Sequence, residues 1–343
     1  MKRYYYMDVL TILATMAVVF LHSSEYAFSN NTGDIHWLIA SINQVAFIWA
    51  VPIFFMISGA NLLDYRERYD TKTFFKKRLN KILLPFLFWS IIWYILNPVI
   101  WNLPIHYDFN QFIDAVMHGK IQSIFWFFYI IIGFYISAPL VSKLTDKNNM
   151  ALSSYLLAIN IVFVNILGYY YSLMNQPMSS VNDGIQIGTA GSVGFFVVGW
   201  YLKHKHLTKL QRILLFISSI LSFLIMIVLT FYLSVRRHEF QRNVYSIWGI
   251  FGFAFSLGIF EFFKNHLQNW QPNIKVQKFL SVVSGTSLGV YVIHEFLIYF
   301  AENQLRISNT SFKHMFIMPV IVWLLSTFSV ILLKKIPVVN KLV

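Results

Sequence analysis

The sequence predicts an all-α protein, a polytopic bundle of about ten transmembrane helices, from its composition and from the spacing of its apolar runs. Hydrophobic residues make up 57% of the chain and charged residues only 12%, whereas roughly a quarter of the residues in a soluble domain are charged. Apolar runs of membrane-spanning length recur along the whole chain. No long polar block interrupts them, so we expect one integral-membrane domain over residues 1–343.

The first span carries a polar stripe on an otherwise apolar helix. The run YMDVLTILATMAVVFLH has one acid near its start and a histidine at its end. At about 100° per residue, one face of this helix carries Asp8, Thr11, Thr15, Val18 and His22. No small-residue cleavage site follows, so we expect a retained span rather than a signal peptide.

Nine further spans complete the predicted bundle. Each is an apolar run of about the length that a helix needs to cross a bilayer. They are Trp37–Leu63, Ile82–Trp101, Ile121–Leu144, Ala151–Leu173, Ile185–Leu202, Ile213–Leu233, Val244–Phe263, Phe279–Ala301 and Met315–Leu333.

The distribution of basic residues predicts the orientation. If the N-terminus is inside, the inward segments hold 21 of the 27 lysines and arginines, which follows the positive-inside rule. Both termini are therefore expected in the cytoplasm, and the chain in the plasma membrane as a multi-pass protein. The net charge of +13 is explained by topology, so we expect no nucleic acid partner. The absence of cysteine excludes disulfides, thiolate metal sites and an acyl-cysteine intermediate.

Three arginines run against this bias in one outward loop, VRRHEFQRN. They are Arg236, Arg237 and Arg242. One interpretation is local pairing with Glu239 or with lipid headgroups. The other is a clamp for an anionic or polyhydroxylated acceptor.

A basic cluster follows the second span at the inner surface. Ser58 and Gly59 lie in VPIFFMISGANLL, and Lys77, Arg78 and Lys81 lie in FFKKRLNKILLPFLFW. A glycine permits close backbone approach, and clustered cations suit a phosphate-rich cytosolic ligand. Ordinary positive-inside residues are the alternative explanation.

Two histidines are predicted at similar depth. The first and ninth spans both run outward, which places His22 and His294 in the outer part of the membrane. Helical spacing puts Tyr291, His294 and Glu295 on one face of the ninth span, together with Ser284 and Ser287. An ionisable residue inside a span indicates a functional site, although a packing role for His294 remains the alternative.

Other polar groups in or near these spans have more than one interpretation each. Asp8 orients a base, holds a cation or caps its helix. Glu25 lies just beyond His22 and either tunes it or is a solvated loop residue. Trp126, at an outer helix end, either faces a sugar or anchors the helix at the interface.

Several motifs in order resemble one family. A histidine closes the first span, FFMISG follows in the second, and a basic segment precedes ILLPF. The runs WFFYIIIGFYISAPL, GTSLGVYVIHEFLIYF and KKIPVV come later. Together they resemble the acyltransferase 3 family of integral-membrane acyltransferases. Two positions depart from its pattern: Thr11 stands where members usually have Arg, and Ile124 where many have His.

The resemblance implies an enzyme. Family members transfer a small acyl group, often acetyl, from cytosolic acyl-CoA to a sugar hydroxyl outside the membrane. Histidine, with an ordinary pKa of about 6.5, is the usual base for a hydroxyl. On this interpretation His22 is the base, assisted by His294, Tyr291 or Asp8, and no metal is expected.

The expected partners follow from the same resemblance. They are acyl-CoA beside Ser58 to Lys81, a polysaccharide acceptor beside Arg236, Arg237, Trp126 and Glu25, the lipid bilayer, and proteins of polysaccharide synthesis or export. No appended extracellular domain is expected. The runner-up is a polysaccharide or lipid-linked sugar transporter or flippase. Because Thr11 replaces the usual arginine, three explanations stay open. A cation from elsewhere in the chain takes its place, the protein belongs to a branch that handles its donor differently, or the protein is an inactive scaffold.

Overall fold

A computed structural model describes residues 3–29, 32–101, 104–174 and 191–343. The described residues form helices and connecting loops without strands, as the sequence predicts. In chain order the α-helices are α1 (Tyr5–His22), α2 (Ile35–Phe47), α3 (Ala50–Leu62), α4 (Thr71–Ile100), α5 (Phe109–Met117), α6 (Trp126–Val141), α7 (Ala151–Asn160), α8 (Tyr169–Leu173), α9 (Gly191–His204), α10 (Lys209–Arg237), α11 (Ile250–Leu267), α12 (Ile274–Ser284), α13 (Ser287–Asn303) and α14 (Met318–Leu333).

Within the described residues, eight helical segments are long and apolar enough to cross a membrane, and nine if the bent pair α12–α13 is one span. The sequence predicted about ten. The predicted span without a counterpart among these segments is Ile185–Leu202, which begins outside the described residues. Its described part lies in α9, a helix of 14 residues. The predicted span Phe279–Ala301 is broken rather than straight, because α12 and α13 meet at an angle of 56° across Gly285 and Thr286.

The chain divides into two compact units. The larger contains residues 1–62 and 144–331, and the smaller contains 63–143 and 332–343. The expectation of a single membrane domain over the whole chain stays a prediction.

Helix α1 lies at the centre of the larger unit, in contact with α2, α3, α11, α12 and α13. Leu10, Ala14 and Val19 on this helix are fully buried. Because hydrocarbon tails are as apolar as these side chains, helices in a membrane associate through close packing rather than through the hydrophobic effect. Along the polar stripe, Thr15 and Val18 are buried, whereas Asp8, Thr11 and His22 are half-buried.

In the smaller unit, α4 packs against α6. The buried aromatic rings of Phe86, Phe125 and Phe128 meet there at centroid distances of 5.2 to 6.1 Å. The indole nitrogen of Trp89 donates a 2.8 Å hydrogen bond to the carbonyl of Leu342, which ties the C-terminal segment to α4.

Candidate active site

Helix α1 and the α12–α13 span lie side by side and run in the same direction. The Ser284 hydroxyl donates to Asp8 at 2.7 Å near the start of α1, and Glu295 lies 3.0 Å from His22 at its end. The sequence-based prediction that the two histidines lie at similar depth is confirmed in this respect: the His22 and His294 rings are 5.1 Å apart. Which side of the membrane they face stays a prediction.

Two carboxylates converge on one nitrogen of His22. Its Nδ1 lies 3.1 Å from Oε1 of Glu25 and 3.0 Å from Oε1 of Glu295. A carboxylate can only accept a hydrogen bond when ionised, so Nδ1 carries the proton in the neutral ring. The lone pair of the neutral imidazole is then on Nε2, which leaves that nitrogen able to accept a proton.

His294 is fully buried. Its Nδ1 donates to the Val290 carbonyl at 3.1 Å. Its Nε2 makes no hydrogen bond with the described residues, and Oε1 of Glu295 lies 3.6 Å away. The Tyr291 ring lies 6.3 Å from the His294 ring. The structure therefore brings four predicted residues of the site together, namely His22, His294, Tyr291 and Glu25, and adds Glu295 to them.

The end of α1 is fixed by buried polar side chains from other helices. Gln44 of α2 donates to the carbonyls of Leu21 at 2.7 Å and Ser24 at 3.2 Å. Nδ1 of His314 donates to the Ser23 carbonyl at 3.0 Å, while its Nε2 lies 2.7 Å from Glu302. The last carbonyls of a helix have no partner within it. These bonds add side-chain donors to the Leu21 carbonyl in the last turn and to the Ser23 and Ser24 carbonyls that follow it, and so hold the end of α1 that carries His22.

Asp8 is placed at the opposite end of α1, about 21 Å along the helix from His22 at a rise of ~1.5 Å per residue. Its carboxylate accepts two 2.8 Å hydrogen bonds from Arg3. This hydrogen bonding, with the carboxylate charge, raises the pKa of the Arg3 guanidinium. Of the three interpretations of Asp8, the structure agrees with the one in which Asp8 holds a cation, and that cation is Arg3. Thr11 bonds within its helix, to the Met7 carbonyl at 2.8 Å.

The arginine-rich loop packs beside the segment that carries Glu25. Arg242 lies over the ring of Phe28, with its guanidinium carbon 5.4 Å from the ring centre. Arg236 donates to the Tyr232 hydroxyl at 3.3 Å and Arg237 to Gln241 at 2.7 Å. Within the part of the chain that the structure describes, the three arginines make these contacts instead of the pairing with Glu239 that the sequence suggested as one possibility.

Ser58 and Gly59 belong to α3 in the larger unit. A side chain at Gly59 would place its Cβ 1.6 Å from the Phe196 carbonyl oxygen, so the glycine permits α3 and α9 to touch. Helix packing therefore accounts for Gly59 without a ligand. Lys203 of α9 donates to the Ala60 carbonyl at 2.7 Å beside it.

The smaller unit contains Trp126 and the three cations predicted to bind the donor, Lys77, Arg78 and Lys81. The Lys77 ammonium lies 4.6 Å from the centre of the Tyr69 ring, and Arg78 donates to the Tyr69 hydroxyl at 3.5 Å. Burial, and then the charge of Lys81, lowers the pKa of Lys334. Like charges held close together are typical of anion-binding sites. Trp126 begins α6 and is 41% exposed.

Sequence reasoning missed the supporting residues. Glu295 was placed on the correct face of its helix but given no role, while Gln44, Glu302 and His314 were not singled out. A polar side chain within an apolar run is a signal that would have found Gln44 and Glu295. Contact between distant parts of the chain, as for His314 and Ser23, has no local signal.

Comparison with known families identifies a family for this chain. Residues 4–334 match the acyltransferase 3 family, described as an acyltransferase domain. Neither the curated proteins nor the solved structures gave a match. Because the match extends over nearly the whole chain and the helices are of membrane-spanning length, this protein belongs to the acyltransferase 3 family and is a multi-pass membrane acyltransferase.

Proposed function

We propose that this protein is an O-acyltransferase that moves a small acyl group, expected to be acetyl, from cytosolic acyl-CoA to a hydroxyl of a cell-surface or exported polysaccharide. One observation carries the proposal: two carboxylates hold Nδ1 of His22, which leaves Nε2 free to act as a base. An imidazole oriented by a carboxylate is a recurrent general base for hydroxyl nucleophiles.

The reaction follows from this arrangement. The acceptor hydroxyl gives its proton to Nε2 of His22 as its oxygen attacks the thioester carbonyl. The carbon–sulfur bond then breaks, and the proton passes from Nε2 to the departing CoA sulfur. Glu25 and Glu295 stabilise the imidazolium formed in between, because each lies within about 3 Å of its Nδ1.

The donor is expected at the cytoplasmic surface. CoA carries several phosphate groups, and phosphates prefer lysine and arginine. Lys77, Arg78 and Lys81 supply these charges, and the proximity of Lys334 to Lys81 adds a fourth. Ser58 and Gly59 remain proposed contacts of the donor from α3.

The acceptor is expected at the outer surface, beside the arginine-rich loop. Arg236 and Arg237 offer planar groups of hydrogen-bond donors, and Arg242 packs on Phe28, three residues beyond Glu25. Trp126 is proposed as a stacking surface for a sugar ring. The plasma membrane, with both termini in the cytoplasm, is the proposed location, and polysaccharide synthesis or export proteins are the proposed partners.

A transporter or flippase for a lipid-linked sugar is the second candidate function. The break of 56° between α12 and α13 favours it, because broken spans commonly line transport sites. A second broken pair, as an inverted repeat requires, is not found among the described residues.

The two functions make opposite predictions for cells that produce matched amounts of wild-type protein, His22→Ala protein or neither. Mass spectrometry of the surface polysaccharide, with esters preserved, measures the ester content and the amount of polysaccharide exported. Acyl transfer predicts ester that appears with the wild type and disappears with His22→Ala. Unchanged ester with a changed amount of exported polysaccharide would replace this proposal with transport.

A further inference from the structure

The side chains of His22, His294 and Glu295 form a cluster of three metal-ligand groups. One ligand atom from each lies within 4.8 Å of the other two. Oε1 of Glu295 lies 3.0 Å from Nδ1 of His22 and 3.6 Å from Nε2 of His294. We infer that this cluster binds a divalent transition-metal ion such as Zn²⁺, and that the ion inhibits the enzyme.

The protonation of His294 is the first argument. A carbonyl only accepts hydrogen bonds, so the 3.1 Å contact with Val290 requires the proton on Nδ1. The lone pair is then on Nε2, which lies 3.6 Å from Oε1 of Glu295, and an ionised carboxylate is also an acceptor. Two acceptors this close in a buried site, where Nε2 has no hydrogen-bond partner among the described residues, repel each other unless a proton or a metal ion lies between them.

The bond from His294 to Val290 is also the arrangement that metal ligands adopt. A ligating histidine usually donates its other ring N–H to a carboxylate or backbone carbonyl, which fixes the tautomer and the ring orientation. His294 is fully buried and already held this way. The tautomer that leaves Nε2 able to bind a metal is therefore already set.

The distances suit zinc. With bonds of about 2.0–2.1 Å, tetrahedral ligand atoms lie about 3.3–3.4 Å apart. The two distances from Glu295, 3.0 and 3.6 Å, bracket that value. Two histidines and one glutamate are a common zinc ligand set, and a fourth position remains for water. Glu25 adds a second carboxylate, 3.1 Å from Nδ1 of His22, which increases the attraction for a cation.

Inhibition follows from the tautomer of His22, and this step rests on the proposed function. A metal on Nδ1 takes the lone pair of that nitrogen, so the ring proton moves to Nε2. The nitrogen that would accept the proton of the acceptor hydroxyl is then blocked. The ion therefore switches off the base without displacing His22.

Metal binding is tested directly, without an activity assay. Co²⁺ is titrated into the metal-free, full-length protein in detergent, and the visible absorption of four-coordinate Co²⁺ is recorded. We expect a band that saturates at one equivalent and disappears when Zn²⁺ is added. His294→Ala and Glu295→Gln should each weaken binding by at least about tenfold. His118→Ala, which removes an exposed histidine beside Asp114, is the matched control and should leave the band unchanged.

The outcomes separate this site from the proposed function. A wild-type protein without the band, or a band that survives in both His294→Ala and Glu295→Gln, overturns the metal site even if acyl transfer is observed. A band that behaves as expected in a protein without acyl transfer supports the site and counts against the proposed function. Where transfer is observed, Zn²⁺ should abolish it at the concentration that displaces Co²⁺, and a chelator should restore it; transfer that continues with Zn²⁺ bound would overturn the inhibition.

Discussion

The proton on Nδ1 of His22 determines what this histidine can do. Glu25 and Glu295 approach that nitrogen from two parts of the chain, one from the segment after α1 and one from α13. Of the two, Glu25 is largely exposed, with a side chain that is 60% accessible, whereas that of Glu295 is 23% accessible. Electrostatic interactions weaken with exposure to water. Glu295 should therefore contribute more to the stabilisation of the imidazolium.

The variant Glu295→Gln tests whether Glu295 contributes more than Glu25 to the stabilisation of the imidazolium. We expect its kcat for acyl transfer to fall by roughly 10- to 100-fold, since the imidazolium loses a buried countercharge. The KM for acyl-CoA should stay close to that of the wild type. Steady-state kinetics on purified protein would measure both constants, with Glu25→Gln as the matched variant and a smaller expected loss. Equal losses of kcat in the two variants would show that solvent exposure does not determine how much Glu25 and Glu295 each contribute.

The sequence allowed the prediction of the two histidines but not of their partners. Helical spacing places Glu295 on the face of His294, yet spacing gives a direction and no distance. The adjacency of His22 and Glu295 depends on how α1 and α13 pack. Asp8 shows the same limit: its place on the stripe was predicted correctly, whereas its pairing with Arg3 depends on the path of the chain before α1.

Helices α3 and α9 pack closely against each other in the larger unit. The position of Gly59 leaves no room for a side chain against the Phe196 carbonyl. Small residues at such contacts allow backbones to touch, which is a main source of helix association in membranes. The glycine in FFMISG therefore has a structural explanation, apart from any contact with a donor.

The variant Gly59→Ala should lower the stability of the protein, because its Cβ would overlap the Phe196 carbonyl. We expect a loss of about 1–3 kcal/mol, typical of overpacking, and a lower Tm in detergent. Gly133→Ala in α6 is the matched control, since its Cβ would meet nothing within 4 Å. A Tm that falls equally in both variants would contradict the packing explanation.

Apolar runs predicted most spans because the length of a hydrophobic run is a direct physical requirement of the bilayer. The same rule does not detect a bend. The break between α12 and α13 occurs within SGTS, where small polar residues weaken the helix, and a hydropathy window averages across it. The 3-10 segment Glu25–Phe28, which positions Glu25, is likewise too short to give a periodic signal.

Across the whole molecule, the two groups of residues proposed for donor binding and for catalysis have different chemistry. The smaller unit gathers the lysines and arginines predicted to meet acyl-CoA, and Lys334 lies near enough to Lys81 for their charges to interact. The larger unit contains the histidine and carboxylate cluster. The sequence indicated the basic group in the loop after the second span, because charge placement in membrane proteins follows topology, but it did not indicate a division into two units.

Removal of the Lys334 charge tests the donor site. Lys334→Ala should raise the KM for acyl-CoA by about tenfold, the effect of one lost charge-assisted hydrogen bond. Because its pKa is lowered, Lys334 loses its charge at a lower pH than an ordinary lysine. The KM of the wild type should therefore rise in alkaline buffer, and that rise should be smaller in Lys334→Ala. The exposed neighbour Lys335 provides the control, Lys335→Ala, and an equal effect there would contradict a specific site.

The central claim, transfer of an acyl group that depends on His22, is tested most directly in proteoliposomes. Acetyl-CoA with a labelled acetyl group is sealed inside the vesicles, and polysaccharide from the host is supplied outside, with the protein inserted in the orientation predicted from its basic loops. Wild-type protein should release CoA inside and place label on the external polysaccharide in equal amounts. His22→Ala should slow both by roughly 10²- to 10⁴-fold, while His118→Ala should not. Equal labelling by wild-type and His22→Ala protein would contradict the account.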